Sequence, residues 1–421
     1  MNIVIIGGGA SGLLSSIILK EELQNNADVT VLERLERVGK KILSTGSGKG
    51  NITNSQVNPT NTKLPYNDIS FVKKIFRKFS YQETKEYFND LGIYITELNE
   101  GRCYPKSESA NSILDTLRLR MKSLGINEIC NFEVKKINIV DSKFSIESTR
   151  QTKVEADYII FSTGGKSSPI LGSNGSGYNI LKNLKLNVTP VLPGLVGIKT
   201  DEASIKGLDG IRIKATVSLY MKKQKSVYWK EYGEVQFKNN GLSGVVIMNA
   251  SSIIAEGKIN KKLQVDRISL DLMPEISEKD LKDLLLRRLV KLNDYTTANF
   301  LIGIFNKMMA NNILKRSKID ISGYCDNLTS RDIDRIVKTI KNFDFEFKDF
   351  DSFEHSQVSV GGLSLEEVNS NTLEVKKIPH MYVVGEVLNV DGLCGGYNLQ
   401  WAWSSAYVAA HSIIDKVSLK G

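Results

Sequence analysis

Ile3-Val4-Ile5-Ile6-Gly7-Gly8-Gly9-Ala10-Ser11-Gly12 opens the chain, an apolar run that passes straight into G-x-G-x-x-G. A buried strand, a tight glycine turn and a helix beginning near Ala10 and Ser11 would bring backbone N–H groups and a helix N-terminus to a pyrophosphate. Gly7 allows the turn, Gly9 the close approach of phosphate oxygens, and Gly12 the packing of helix on strand. Val29-Thr30-Val31-Leu32-Glu33 reads as the second strand. Glu33 stands about 20 residues beyond Gly12, the spacing of a carboxylate that grips a ribose hydroxyl. Arg34 follows it and joins the candidate cofactor residues. Strand, helix and acid together predict a Rossmann-like α/β domain that binds a dinucleotide.

Composition narrows the class. The chain has 421 residues, 41% hydrophobic and 24% charged, enough for two or three domains around a large core. No apolar run approaches the roughly 18–20 residues of a membrane span, and the N-terminal apolar stretch is a strand with no basic lead, unlike a signal peptide. A formal charge of +9 raises the question of nucleic acid. The lysines are scattered, however, and the densest group, Lys222-Lys223-Gln224-Lys225, reads as a solvated hairpin turn, so no stable nucleic-acid partner is expected. Cys103, Cys130, Cys325 and Cys394 form no C-x-x-C pair, and His355, His380 and His411 are far apart. That spacing points away from a disulfide scaffold, a zinc site or a dithiol reductase, and no metal site is expected. A cytoplasmic protein with no membrane contact is the default expectation.

Beyond the opening βαβ unit, whose helix spans Ser11 to Asn25, a glycine-rich loop runs from Gly39 to Asn54. Helical spacing of apolar residues predicts one helix from about Asp68 to Leu91 and another from about Ser109 to Leu124. Strand-like stretches follow at Phe132–Val140, Phe144–Ser148 and Val154–Phe161, the last entering Ser162-Thr163-Gly164-Gly165. The character then changes. Strands are predicted at Ile213–Tyr220, Val227–Lys230, Val235–Lys238 and Ile268–Leu272, and helices at Glu278–Leu292, Thr297–Leu314 and Arg331–Phe343. Ser277 with Asp280, and Thr329 with Asp332, are capping signals. We therefore expect the nucleotide domain in two parts, 1–190 and 350–421, around an inserted domain at 191–349. Its β-barrel-like part spans about 191–275 and its helical part about 276–345.

The final strand, Met381–Val384, leads into Gly385-Glu386, and the turn Asp391-Gly392-Leu393-Cys394-Gly395-Gly396-Tyr397-Asn398 then delivers a helix N-terminus. Single-chain flavoproteins complete their cofactor site in this way. Gly385 permits close approach, and the Glu386 carboxylate suits ribityl or ribose hydroxyls. The helix N-terminus at Gly396, Asn398 and Leu399 suits the flavin N1–C2=O edge, where negative charge gathers on reduction.

These motifs carry a resemblance that covers nearly the full length. It rests on Gly7–Gly12, on Gly39-Lys40-Lys41 with Thr45-Gly46-Ser47-Gly48-Lys49-Gly50-Asn51-Ile52-Thr53-Asn54, and on Gly101-Arg102-Cys103-Tyr104-Pro105. It continues through Gly172–Tyr178, Gly241–Gly244, Gly361–Ser364, Gly385–Leu388 and Gly395–Ala402. The chain resembles the bacterial family of two-domain FAD-dependent oxidoreductases that includes aminoacetone oxidase and the proposed 3-dehydro-bile-acid Δ4,6-reductase. One step departs from the family pattern: where relatives carry Arg-Cys-Asn, this chain has Lys49-Gly50-Asn51.

The resemblance implies noncovalent FAD lying across the nucleotide fold, with Lys40, Lys41, Thr45, Gly46, Gly48, Asn51 and Asn54 lining it. It also implies adenine contacts from Val134 on a strand of the core sheet, and loop contacts from Thr163, Gly164, Gly165, Asp391 and Gly396. The chemistry is then hydride transfer between a small organic substrate and flavin N5. Two directions stay open: an amine-type oxidase, or a reductase of an enone-type substrate fed by transiently docked NADH or NADPH. A flavoprotein that acts on or binds RNA, without small-molecule turnover, is the alternative. His355 and Tyr397 are candidates for proton transfer, each with a structural alternative as a loop histidine or a tyrosine packed in a glycine turn. The inserted domain is expected to set substrate choice.

Overall fold

The strand Asn2–Ile6 lies at the centre of a five-stranded parallel sheet ordered Met381–Val383, Tyr158–Phe161, Asn2–Ile6, Asp28–Leu32, Asn127–Ile129. Ile3, Val4, Ile5 and Ile6 are each buried, as a parallel strand covered on both faces requires. The computed structural model describes residues 1–419 apart from 142, 222–225 and 262–263. The expected Lys222–Lys225 turn lies outside the described residues.

The chain divides into two compact units, Met1–Gly194 with Phe353–Gly421, and Leu195–Ser352. These borders lie a few residues beyond the expected 191 and 349, for a local reason. Leu192–Gly194 pairs antiparallel with Val358–Val360 inside the first unit, whereas Asp349–Phe350 pairs with Ile198–Lys199 inside the second.

In the first unit, the helix Ala10–Leu23 is apolar over most of its surface and packs against the C-terminal helix Tyr397–Ser418, which carries the fully buried Trp401 and Trp403. A helix apolar all round must be enclosed. Three expectations need correction here. The single helix expected over 68–91 is two, Ile69–Phe76 and Tyr81–Asp90. Ser80 starts the second with a capping box, its backbone N–H donating to Glu83 at 2.7 Å. Local capping outcompetes a continuous apolar stripe. The stretch 154–161 also divides at Asp157. Lys153–Ala156 joins an antiparallel sheet with Val134–Val140 and Lys143–Ser148, and only Tyr158–Phe161 enters the parallel sheet. Val134 is therefore on the small antiparallel sheet and not on the core sheet.

The second unit holds a seven-stranded sheet ordered Phe343–Glu346, Val265–Asp271, Arg212–Met221, Val227–Lys238, Gly241–Ser243, Ile198–Lys199, Asp349–Phe350. Its two edges are the two halves of one segment, 343–350. Phe347 N–H donates to Asp266 near one edge, and Lys348 N–H donates to Lys199 at the other. The sheet thus curls onto itself in the barrel-like manner expected. The helix Val245–Ile259, absent from the sequence reading, packs on it, with Val246 filling the space beside Gly233. Buried residues surround this helix, so no helical periodicity marks it. The helical part follows, with Glu278–Lys291 capped by Ser277 and Ser330–Lys341 capped by Thr329. The helix expected over 297–314 is a short turn, Thr297–Asn299, and a separate helix, Lys307–Arg316, capped by Asn306. Among the described residues no helix is long and apolar enough to cross a membrane.

Candidate FAD site

Every candidate cofactor residue lies in the first unit. Gly9 is the N-cap of the first helix, with φ −84° and ψ −170° and no side chain capping it. A Cβ built there would meet nothing within 4 Å. Gly12 is the opposite case, since its Cβ would lie 2.0 Å from the Gly7 carbonyl oxygen and 2.8 Å from Ser162 Oγ. The first helix can approach its strand so closely only because residue 12 has no side chain. Gly7 needs glycine for a second reason, a φ of +106°.

Glu33 reaches back to this loop. Its carboxylate accepts from Gly8 N–H at 2.9 Å and Leu35 N–H at 2.8 Å. Burial holds its carboxyl above the ordinary range, although both N–H bonds and Arg34 pull the other way. Two oxygens carry about four lone-pair sites, so acceptor capacity for ribose hydroxyls is left over. Arg34 turns to the neighbouring loop, donating to the Gly172 carbonyl at 3.2 Å, and Lys40 pairs with Glu36.

The second helix N-terminus is also without a side-chain cap: Gly396, φ +95°, precedes Tyr397. A Cβ on Gly396 would strike the Thr53 carbonyl at 2.4 Å and Asn51 Oδ1 at 2.9 Å. Asn54 Nδ2 donates to the Gly395 carbonyl at 2.8 Å. The glycine loop and the C-terminal turn are therefore one assembly. Asn51 Oδ1 and Thr163 Oγ1 are buried without a hydrogen-bond partner, a costly condition unless a bound group supplies one. Thr45 and Gly46 form the kink within the 3-10 stretch Lys40–Gly48, and Gly46 and Gly48 have positive φ. Gly164, φ +69°, carries the strand-end loop past Ser173.

Several candidates turn out to shape the turn. Asn398 donates to the Gly392 carbonyl at 2.7 Å and accepts its N–H at 2.9 Å. Asp391 is buried; its backbone carbonyl accepts from Asn67 N–H and its N–H donates to Asn67 Oδ1, both at 3.2 Å. Tyr397 donates its hydroxyl to Gln56 Oε1 at 3.1 Å, and burial raises its phenol above the ordinary range. His355 lies on an exposed loop. Leu399, in the first turn of the C-terminal helix, is half-buried and packs on the core. Val134, on its small sheet, is the residue whose expected setting fails.

Lys41 and Glu386 meet directly. Lys41 Nζ donates to Glu386 Oε2 and to Ser167 Oγ, both at 2.7 Å. Glu386 Oε1 accepts from Ser167 Oγ at 2.7 Å and Ser359 N–H at 2.8 Å. Burial drives this carboxyl upward, but the Lys41 charge and these hydrogen bonds outweigh burial and leave it below the ordinary range. A Cβ on Gly165 would lie 2.6 Å from Glu386 Oε1 and 2.4 Å from Ser359 Oγ.

Sequence reasoning missed Ser167 and Ser359, each beside a glycine pair that the motif reading did single out. It also missed Gln400, fully buried on the C-terminal helix. Gln400 Oε1 accepts from Thr53, and its Nε2 donates to Thr84 at 2.7 Å and Ser404 at 2.8 Å. Trp403 Nε1 donates to the Ile52 carbonyl at 3.0 Å and Trp401 Nε1 to the Gly385 carbonyl at 3.1 Å. One helix thereby anchors both loops of the assembly.

The residues present fit FAD. Two uncapped helix N-termini offer N–H groups and positive dipole ends to anionic or polar edges, Gly9 leaves room for a phosphate, and Glu33 keeps acceptor capacity. The chain is 32% identical over 412 residues, 98% of each chain, to the 3-dehydro-bile acid delta(4,6)-reductase of Clostridium scindens. It is 27% identical over 412 residues, 98% of this chain and 97% of the other, to the ribosomal RNA dihydrouridine synthase of Escherichia coli. The protein of the same name from Haemophilus influenzae is 26% identical over 428 residues, covering 97% and 98%. The model of the HI0933-like protein Rossmann domain matches residues 1–412. This chain belongs to the HI0933-like Rossmann-domain family.

Proposed function

We propose that this enzyme is a reductase that adds hydrogen across a carbon–carbon double bond conjugated to a carbonyl, with a small organic enone as substrate. The name of the 32% identical relative supports that direction and substrate class. The dihydrouridine synthases, more distant, are also named for gaining hydrogen at a double bond. Noncovalent FAD supplies hydride at N5, and NADH or NADPH docks transiently as donor. The amine-oxidase direction has no such support among these relatives.

The observation that carries the reading is the presence in one unit of two uncapped helix N-termini, at Gly9 and Gly396, with the strand-end Gly385 lying against Ser11 of the first helix. Backbone N–H groups at Gly9 to Ser11 hold the pyrophosphate, and Glu33 accepts from ribose. The N-terminus at Gly396 would stabilise the cofactor edge that becomes negative on reduction. Asn51 Oδ1 and Thr163 Oγ1 gain the partners they lack. Anaerobic incubation with NADPH and a conjugated dienone ketone tests the reading, with product mass as the readout. Gain of two hydrogens is expected, and an unchanged substrate beside a reduced flavin contradicts it.

A second reading, reduction of a uracil base in RNA, has specific support in the names of the two dihydrouridine synthases and the net charge of +9. Dihydrouridine appearing in rRNA treated with the reduced enzyme would favour it. A steep salt dependence of RNA retention would accompany it.

A further inference from the structure

Glu386 sits where a flavoprotein acid would reach for cofactor hydroxyls, yet three protein hydrogen bonds already fill three of its about four acceptor sites. Lys41, in turn, spends two of its three donors on Glu386 and Ser167. The four residues come from four segments. Lys41 follows Gly39, whose N–H donates to the Gly8 carbonyl at 2.7 Å, so its backbone is tied to the pyrophosphate loop. Ser167 follows the strand Tyr158–Phe161, Glu386 follows Met381–Val383, and Ser359 lies on Val358–Val360. Lys41, Ser167 and Glu386 thus gather beyond the carboxyl ends of parallel strands, the place where open α/β sheets bind ligands. Apolar replacement of a buried ion pair is often neutral or stabilising, so the pair is weak evidence of a stabilising role.

We infer that Glu386 is a positioning residue that acts through Lys41: it fixes the ammonium beside the cofactor and cancels its charge, so that the flavin keeps a low midpoint potential. This rests on the proposed FAD reading and extends it. Reduction adds negative charge to the flavin, so an uncompensated cation nearby raises the potential and makes the reduced form a weaker hydride donor. A neutral pair keeps it a strong donor, as reduction of a conjugated double bond requires. The coupling is one-sided. Burial favours the neutral form of a carboxyl that loses its cation, and on this inference Glu386 acts on the flavin only while Lys41 is present.

The test is a dye-linked potential titration of the FAD-loaded wild type, Glu386→Gln, Lys41→Met and the double variant. Glu386→Gln is expected to raise the midpoint potential, Glu386→Asp to keep the wild-type value, and Lys41→Met and the double variant to share one value. An equal shift on Glu386→Gln in both backgrounds would overturn the inference, because Glu386 would then act on the cofactor directly. If Glu386→Gln does not fold, the Lys41→Met pair still decides, and any difference between its two members overturns the inference. Failure of the wild type to bind FAD sinks the functional reading instead. Thermal melts of the four apo-proteins then test the pair alone, and additive losses there would remove the coupling.

Discussion

Gly9→Ala should separate the fold from the cofactor. The residue has φ −84° and ψ −170°, open to any L-amino acid, and the new Cβ meets no protein atom within 4 Å. Two small terms oppose each other in the apo-protein. Loss of backbone freedom in the unfolded chain stabilises by about 0.4–1 kcal/mol, and Ala is a poorer N-cap than Gly by about 1 kcal/mol. The net change in apo stability should stay within about 1 kcal/mol by these terms. The cofactor sees a different surface. A methyl over the N–H groups of Gly9 to Ser11 pushes the pyrophosphate off at least one charge-assisted hydrogen bond, worth about 1.5–3 kcal/mol. At 1.4 kcal/mol per decade, the FAD dissociation constant should rise by about one to two orders of magnitude. Urea melts of the apo-protein and fluorescence titration with FAD measure both. Unchanged FAD affinity, or an apo-protein destabilised well beyond that range, would refute the placement of phosphate over Gly9.

Ser80→Ala should cost about 1 kcal/mol in a urea melt by removing a helix cap, whereas a continuous helix through residue 80 would lose nothing. Gly50→Cys would place a Cβ 2.5 Å from Ile113 Cδ1 at a φ of +76°. It should destabilise by about 1–3 kcal/mol, with part regained in an Ile113→Val background. Glu386 contributes a pH dependence: its folded carboxyl lies below the unfolded value near 4.5. Its stabilisation is therefore complete above that value and lost as pH falls through the folded one. Lys41→Met should weaken this acid limb in a melt series across acidic pH, and an unaltered limb would assign it to other carboxylates. Replacing 195–352 by a short linker should leave FAD binding measurable, since all the candidate cofactor residues lie outside it.

The parallel sheet and its glycine loop were legible because each local signal agreed with the fold: an all-apolar strand, a steric need for Gly7 and Gly12, and an acid at the next strand end. What stayed hidden falls into two physical kinds. Helix Val245–Ile259 is buried around its circumference, so periodicity, the main helical signal, is absent. Elements that break, at Ser80 and at Asp157, do so through a cap or a change of partner sheet that apolar spacing does not encode. The site shows the same division. Gly9, Glu33 and Gly396 stand in motifs with fixed geometry. The Lys41–Glu386–Ser167–Ser359 cluster joins residues up to 345 positions apart, and only the folded chain brings them together.

One anaerobic single turnover decides whether the protein is an FAD-dependent reductase of a conjugated double bond. Enzyme reduced by a stoichiometric amount of NADPH or dithionite is mixed with a dienone ketone, and the visible flavin spectrum is followed with product mass. Oxidised flavin should return in step with a product two hydrogens heavier, before any air is admitted. Flavin that stays reduced with the dienone, and reoxidises only with oxygen or with an RNA substrate, would contradict it.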